Sequence, residues 1–269
     1  MILEEIVSKK QDEVAARKKK IVLKTLQETI AGMPPPRDFA ASLRRKIAII
    51  AEIKRRSPSH GLLRGNFEPA KIALLYEQNG AAAVSVLTDE TFFGGGDNDI
   101  AAVKSAVALP VLRKEFIIDP YQITETRAIG ADAILLIASL LGEEKLRDYR
   151  QEAESLGLAA LVEAHNRQEL FASLSSGARI IGVNNRDLRT LATDIRVSLE
   201  LAPLLPHDLT AVSESGIETG HDIEALRKVG FNAFLIGGAL LSSPDIGVKL
   251  RELAGGGEHD GNKDLRNHQ

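Results

Sequence analysis

The sequence predicts an α/β chain folded as a (β/α)8 TIM barrel with an N-terminal helical extension. Eight short β-branched or aliphatic runs recur along it, and charged stretches with helical periodicity lie between them. Glycine repeatedly follows the end of such a stretch, just before the next run. The unit repeats at roughly 27 residues, which is the rhythm of a closed eightfold barrel. The competing architecture is an open doubly wound sheet, which usually begins on a G-x-G-x-x-G turn; none follows the first run here.

Residues 1–46 read as helical, broken at Met33-Pro34-Pro35-Pro36, where proline removes donors and clashes with a preceding turn. The strands follow in order: Ile47 to Ile53, Ala83 to Leu87, Val111 to Lys114, Ala133 to Ile137, Ala159 to Glu163, Ile180 to Asn184, Thr210 to Ser213 and Ala233 to Ile236. Their near-continuous apolar character implies burial on both faces, as in a parallel sheet covered by helices. Helical stretches include Pro69 to Asn79, Glu143 to Leu156 and His221 to Val229. Gly80, Gly130, Gly157, Gly177 and Gly230 sit where a left-handed helix cap is needed. The expected organisation is an extension over 1–46 packed on the barrel, the barrel over 47–254, and a flexible tail over 255–269.

Composition narrows the function. With 44% hydrophobic and 26% charged residues the chain is ordinary globular protein, and its 269 residues suffice for a large core without covalent staples. It contains no cysteine, which excludes disulfides, thiolate zinc sites and cysteine nucleophiles and suits a cytoplasmic location. A net charge of −3 gives no electrostatic case for nucleic acid. The basic run Arg17-Lys18-Lys19-Lys20 reads as a solvated helix face. Neither a signal-peptide core nor a membrane span is apparent. The histidines lack metal-ligand spacing and read as surface or capping residues, and no Walker loop or nucleophile elbow occurs.

In this fold the active site forms at the C-terminal strand ends. The first strand ends in Glu52 and Lys54, which share a face because side chains alternate. The third ends in Lys114-Glu115-Phe116, the fifth in Glu163, the sixth in Asn184-Asn185-Arg186 and the seventh in Glu214-Ser215-Gly216. The eighth runs into Gly237-Gly238. Loops after strands seven and eight of such barrels frequently hold phosphate on backbone N–H groups, so Gly216, Gly237 and Gly238 point to a phosphorylated small-molecule substrate.

These segments carry a family resemblance. Ala51–Gly61 reads AEIKRRSPSHG and resembles the first-strand signature E-x-K-x-x-S-P-S-x-G of indole-3-glycerol phosphate synthases. The similarity continues through SVLTDE at 85–90, FFGG at 92–95, PVLRKEFIID at 110–119, LVE at 161–163, GVNNRDL at 182–188 and VSESGI at 212–217. It spans the barrel in order. The resemblance implies closure of an indole ring from 1-(2-carboxyphenylamino)-1-deoxyribulose 5-phosphate, with loss of carbon dioxide and water, in tryptophan biosynthesis. It implies no metal and no organic cofactor.

The resemblance also implies roles. Lys114 matches the general acid, and Lys54 the residue holding the anthranilate carboxylate. Glu163 matches the carboxylate that stabilises positive charge on the anilino nitrogen, and Glu52 orders Lys54 or serves as base in dehydration. Asn184 and Ser215 match residues placing hydroxyls, while Phe116 walls the aromatic pocket. Arg186 and Glu214 complete substrate binding; Ser57 joins Gly216, Gly237 and Gly238 in binding substrate and phosphate. Three departures stand out: Gly238 replaces a usual Glu, Ser or Thr, Glu115 replaces a common aspartate, and Leu191–Asp194 diverges. A monomer is expected, with a homodimer as the alternative. The competing functions are a Schiff-base aldolase, which Glu52 and Glu115 disfavour by keeping the neighbouring lysines protonated, and a non-catalytic phosphosugar-binding barrel.

Overall fold

A computed structural model describes residues 2–57, 61–62 and 67–256. Eight parallel strands close into a barrel: β1 (Ala48–Ile53), β2 (Ala83–Leu87), β3 (Val111–Lys114), β4 (Ala133–Ile137), β5 (Ala159–Ala164), β6 (Ile180–Asn184), β7 (Thr210–Glu214) and β8 (Ala233–Ile236). Each pairs with its neighbours in sequence, and β8 closes on β1 with Ala48 opposite Ala233. The runs read from sequence match these strands to within a residue at each end. Gly80, Gly130, Gly157, Gly177 and Gly230 all adopt positive φ, between 79° and 109°, as their capping places require.

Side-chain alternation sorts the barrel into two surfaces. Ile49, Ala51, Val84, Val86, Ile134 and Val162 face outward and pack with the surrounding helices. Ala48, Ile50, Ala83, Leu112, Leu135, Leu161, Val212 and Leu235 face inward and form apolar layers. Continuing the inward parity one step along each strand reaches Glu52, Lys114, Glu163, Asn184 and Glu214. The polar groups therefore cap an apolar stack at the C-terminal rim.

Three helices precede the barrel: α1 (Ile2–Lys20), α2 (Leu23–Ala31) and α3 (Phe39–Ser42). Phe39 and Leu43 are fully buried against the inward residues that start the strands, so α3 closes the barrel floor. Val14 and Leu26 pack on Tyr121 of the helix Tyr121–Ala128, holding α1 and α2 to the wall. Lys18, Lys19 and Lys20 are exposed, as expected of a solvated face, and only Arg17 departs from it. Arg17 is half-buried, 2.8 Å from Asp97 and 2.9 Å from Glu125, and the same two carboxylates hold the fully buried Arg113. Lys18 lies 2.7 Å from Asp119. Helical periodicity alone could not show that barrel carboxylates face this end of α1.

The expected tail falls, from residue 257, outside the described residues. Among the described residues no helix is long and apolar enough to cross a membrane.

Candidate active site

A cavity of about 540 Å³ opens at the C-terminal rim. Glu52, Lys54, Lys114, Glu163, Asn184, Arg186, Glu214, Ser215, Gly216, Gly237 and Gly238 all line it, as does Phe116. The structure thus brings together every site residue expected from sequence except Ser57. That residue's backbone pairs with Gly61 in a two-residue hairpin, and its side chain lies outside the described residues.

Two lysine–carboxylate groups dominate the floor. Lys54 Nζ lies 2.6 Å from Glu52 Oε1. Lys114 Nζ donates to Glu163 Oε2 at 3.2 Å and lies 3.4 Å from Glu214 Oε2. Burial opposes the charge on Lys114, yet Glu163, Glu214 and Glu52 around it raise its pKa above the ordinary lysine range. Burial likewise opposes ionisation of Glu163, but Lys114 and His165 hold its carboxyl well below the usual carboxylate range. Glu214 goes the other way: burial and the neighbouring Glu163 charge push it up to about 8 despite Lys114. Two carboxylates around one ammonium are driven apart, one ionised and one able to hold a proton near neutrality. Glu52 is buried too, but Lys54 and then Lys114 keep it below its usual range.

The expectation that Glu115 keeps the lysines protonated is corrected. Parity turns Glu115 outward, where it accepts from Thr88 Oγ1 at 3.0 Å and pairs with Lys10 at 3.0 Å. Glu163 and Glu214, distant in sequence, do that work instead.

His165 also departs from the surface or capping role expected of the histidines. Its Nε2 lies 3.2 Å from Glu163 Oε1 and its Nδ1 2.9 Å from Glu169 Oε2. Burial would lower its pKa, but the two carboxylates push the imidazole up to about 10. Its place two residues beyond Glu163 on an alternating strand was the available signal.

Glycines make room for the carboxylates. A Cβ at Gly182, inward on β6, would fall 2.0 Å from Glu214 Oε1, and one at Gly237 would fall 2.3 Å from Glu52 Oε1. Gly182 escaped the sequence reading, although a glycine inside a strand commonly marks a close approach. Ser215 and Gly216 both take positive φ, 66° and 73°, which turns the backbone sharply at the cavity edge. Asn185 Nδ2 supports this turn by donating to Ser215 O at 2.9 Å.

The opposite wall is apolar. Phe93, from the short helix Glu90–Phe93, faces Phe116 at 6.1 Å between ring centroids and 36° between planes. Leu87, Leu135, Ile137 and Leu188 extend this wall. The cavity therefore has an aromatic side, a charged floor and a glycine-bearing edge. Among the described residues no cluster of three or more His, Asp or Glu is arranged to hold a metal ion.

Fold and cavity together define a (β/α)8 barrel of the enzyme kind, with lysines and carboxylates lining a cavity at the C-terminal strand ends. Residues 3–253 match the family model for indole-3-glycerol phosphate synthase. The chain belongs to that family. A relative bearing the family's name from Dehalococcoides mccartyi is 47% identical over 258 residues, covering 94% of this chain and 100% of the relative. Another from Chloroherpeton thalassium is 49% identical over 246 residues, covering 90% and 95%. Among solved structures, the N-acetylmannosamine-6-phosphate 2-epimerase from Clostridium perfringens superposes with a TM-score of 0.60 at 16% identity, over 77% of this chain and 93% of that one. That likeness concerns the barrel fold alone.

Proposed function

We infer that this chain converts 1-(2-carboxyphenylamino)-1-deoxyribulose 5-phosphate to indole-3-glycerol phosphate, carbon dioxide and water, as a carboxy-lyase of tryptophan biosynthesis. Of the observations above, the one that carries the assignment of roles is Lys114, held as an ammonium between Glu163 and Glu214 at the cavity floor.

The substrate's aromatic ring lies on the Phe93–Phe116 side. Its carboxylate meets Lys54, with Arg186 offering a planar pair of donors nearby. The phosphate takes backbone N–H groups at Gly216, Gly237 and Gly238, with Ser57 as a further donor. When the ring carbon bearing the carboxylate attacks the ketone, negative charge grows on the ketone oxygen. Lys114 donates a proton there, and each such positioned transfer contributes about 10²–10⁴-fold. Glu163, kept ionised, faces the positive charge that develops on the anilino nitrogen. The carbon–carboxylate bond then breaks, carbon dioxide leaves and the bonding pair returns to the ring. In dehydration the former ketone oxygen, protonated by Lys54, leaves as water, with Glu52 taking a proton from the carbon between the anilino nitrogen and the former ketone carbon, and Asn184, Ser215 and Glu214 holding the hydroxyls.

A Schiff-base aldolase needs an unprotonated lysine. The carboxylates around Lys114 favour its ammonium, which makes it a poor amine nucleophile and a good proton donor. The companion reading is a cytoplasmic location, with which the cysteine-free composition agrees, and a monomer in which 1–46 is an extension of the 47–254 barrel. Incubating the purified protein with the carboxyphenylamino substrate and following indole fluorescence tests the assignment. Product should accumulate without added metal or cofactor. No indole product, or borohydride trapping of a lysine adduct with the ketose, would reject it.

A further inference from the structure

We propose that Lys10, in the N-terminal helix, is a positioning residue that sets the aromatic side of the cavity for the substrate's carboxyphenyl ring; this rests on the function inferred above. Lys10 is 3% exposed, although α1 lies outside the barrel. Its Nζ lies 2.9 Å from Asp89, 3.0 Å from Glu115 and 2.6 Å from Glu13. Asp89 and Glu115 come from different loops, after β2 and β3, and each holds the backbone of one cavity aromatic. Asp89 Oδ1 accepts from Phe92 N at 2.7 Å and Phe93 N at 3.3 Å, capping the helix Glu90–Phe93. Glu115 Oε1 accepts from Phe116 N at 2.8 Å. One ammonium thus ties together the two carboxylates that fix Phe93 and Phe116, the rings that pack beside each other on the aromatic side of the cavity.

The chemistry calls for such a cation. Asp89 and Glu115 are almost wholly buried, and two adjacent buried carboxylates would repel and spread the loops that carry them. Burial opposes the charge on Lys10 as well, but Glu115 and Asp89 beside it keep its pKa above the ordinary lysine range. Glu115 also directly follows Lys114, the last residue of β3, and points to the other side of the barrel wall. Support of this kind acts on the geometry of binding, where about 1 Å of misplacement can cost up to 10²-fold.

The test compares the unaltered enzyme with Lys10→Met and Lys10→Arg, reading KM for the carboxyphenylamino substrate and Ki for inorganic phosphate as a competitive inhibitor. Turnover by the unaltered enzyme settles the parent function independently of the variants. Lys10→Met should raise KM about tenfold while Ki for phosphate stays within about twofold, because the phosphate edge lies across the cavity. Lys10→Arg should recover most of the loss. If Lys10→Met fails to fold, Lys10→Met/Asp89→Asn/Glu115→Gln removes the buried repulsion that would prevent folding but still leaves the two loops without the ammonium that ties them together. A raised KM with an unchanged phosphate Ki in that variant supports the proposal. A wild-type KM in either folded variant, equal shifts in KM and Ki, or failure of both variants to fold overturns it.

Discussion

Replacing Gly237 by alanine probes the floor of the cavity through a single methyl group. The φ of Gly237 is −126°, so its backbone does not demand glycine. The obstacle is Glu52: the new Cβ would lie 2.3 Å from its Oε1 and 3.0 Å from both its Cβ and Cδ. Glu52 must swing away, breaking its 2.6 Å contact with Lys54. Displacing Glu52 by about 1 Å from the place the proposed mechanism gives it costs up to about 10²-fold, so kcat/KM should fall by that factor, equivalent to about 2.7 kcal/mol of transition-state stabilisation. Overpacking should cost about 1–3 kcal/mol of stability, which a barrel of this size tolerates. The assay is a cycle on kcat/KM from indole fluorescence. In a Glu52→Ala background the Oε1 and Cδ collisions are gone, so Gly237→Ala should add no more than about threefold. Near-normal turnover in Gly237→Ala, or full additivity with Glu52→Ala, would refute the reasoning.

Two further outcomes follow from strain and charge. Ser215→Gly relieves a non-glycine residue at φ 66°, so its urea midpoint should rise by an amount worth about 1 kcal/mol while kcat falls with the lost hydroxyl; an unchanged or lower midpoint contradicts the strain. His165 has its folded pKa raised to about 10 from 6.5, so its contribution is full below pH 6.5 and is lost as pH rises toward 10. Glu214, raised to about 8, makes its own decline between pH 4.5 and 8, so the diagnostic window is pH 8–10. The Tm advantage of the unaltered protein over His165→Gln should shrink across that window, and a constant difference would show that His165 is uncharged.

Much of this was legible in the sequence because the controlling rules are local. Strand alternation placed Glu52 with Lys54 and put Lys114 and Glu163 at strand ends, and the capping glycines marked where helices stop. The partners were less legible because they depend on register between strands. Glu214 reaches Lys114 only because Gly182, on the strand between Glu163 and Glu214, leaves its inward position empty. Neither Lys10 nor Arg17 announces its burial in a basic, helix-periodic segment; Lys10 is buried and Arg17 half-buried because barrel carboxylates far along the chain face them. His165 was passed over because a lone histidine carries no spacing signal, although its distance from Glu163 is that of a same-face neighbour.

The most direct test of the account is the kcat of Lys114→Ala, Glu163→Gln and their double variant, with folding checked by circular dichroism. Each single change should lower kcat by about 10²-fold or more, and the double should fall little below the poorer single because the pair acts as one device. A folded Lys114→Ala that turns over at nearly the normal rate, or a double variant as poor as the product of the singles, would contradict it.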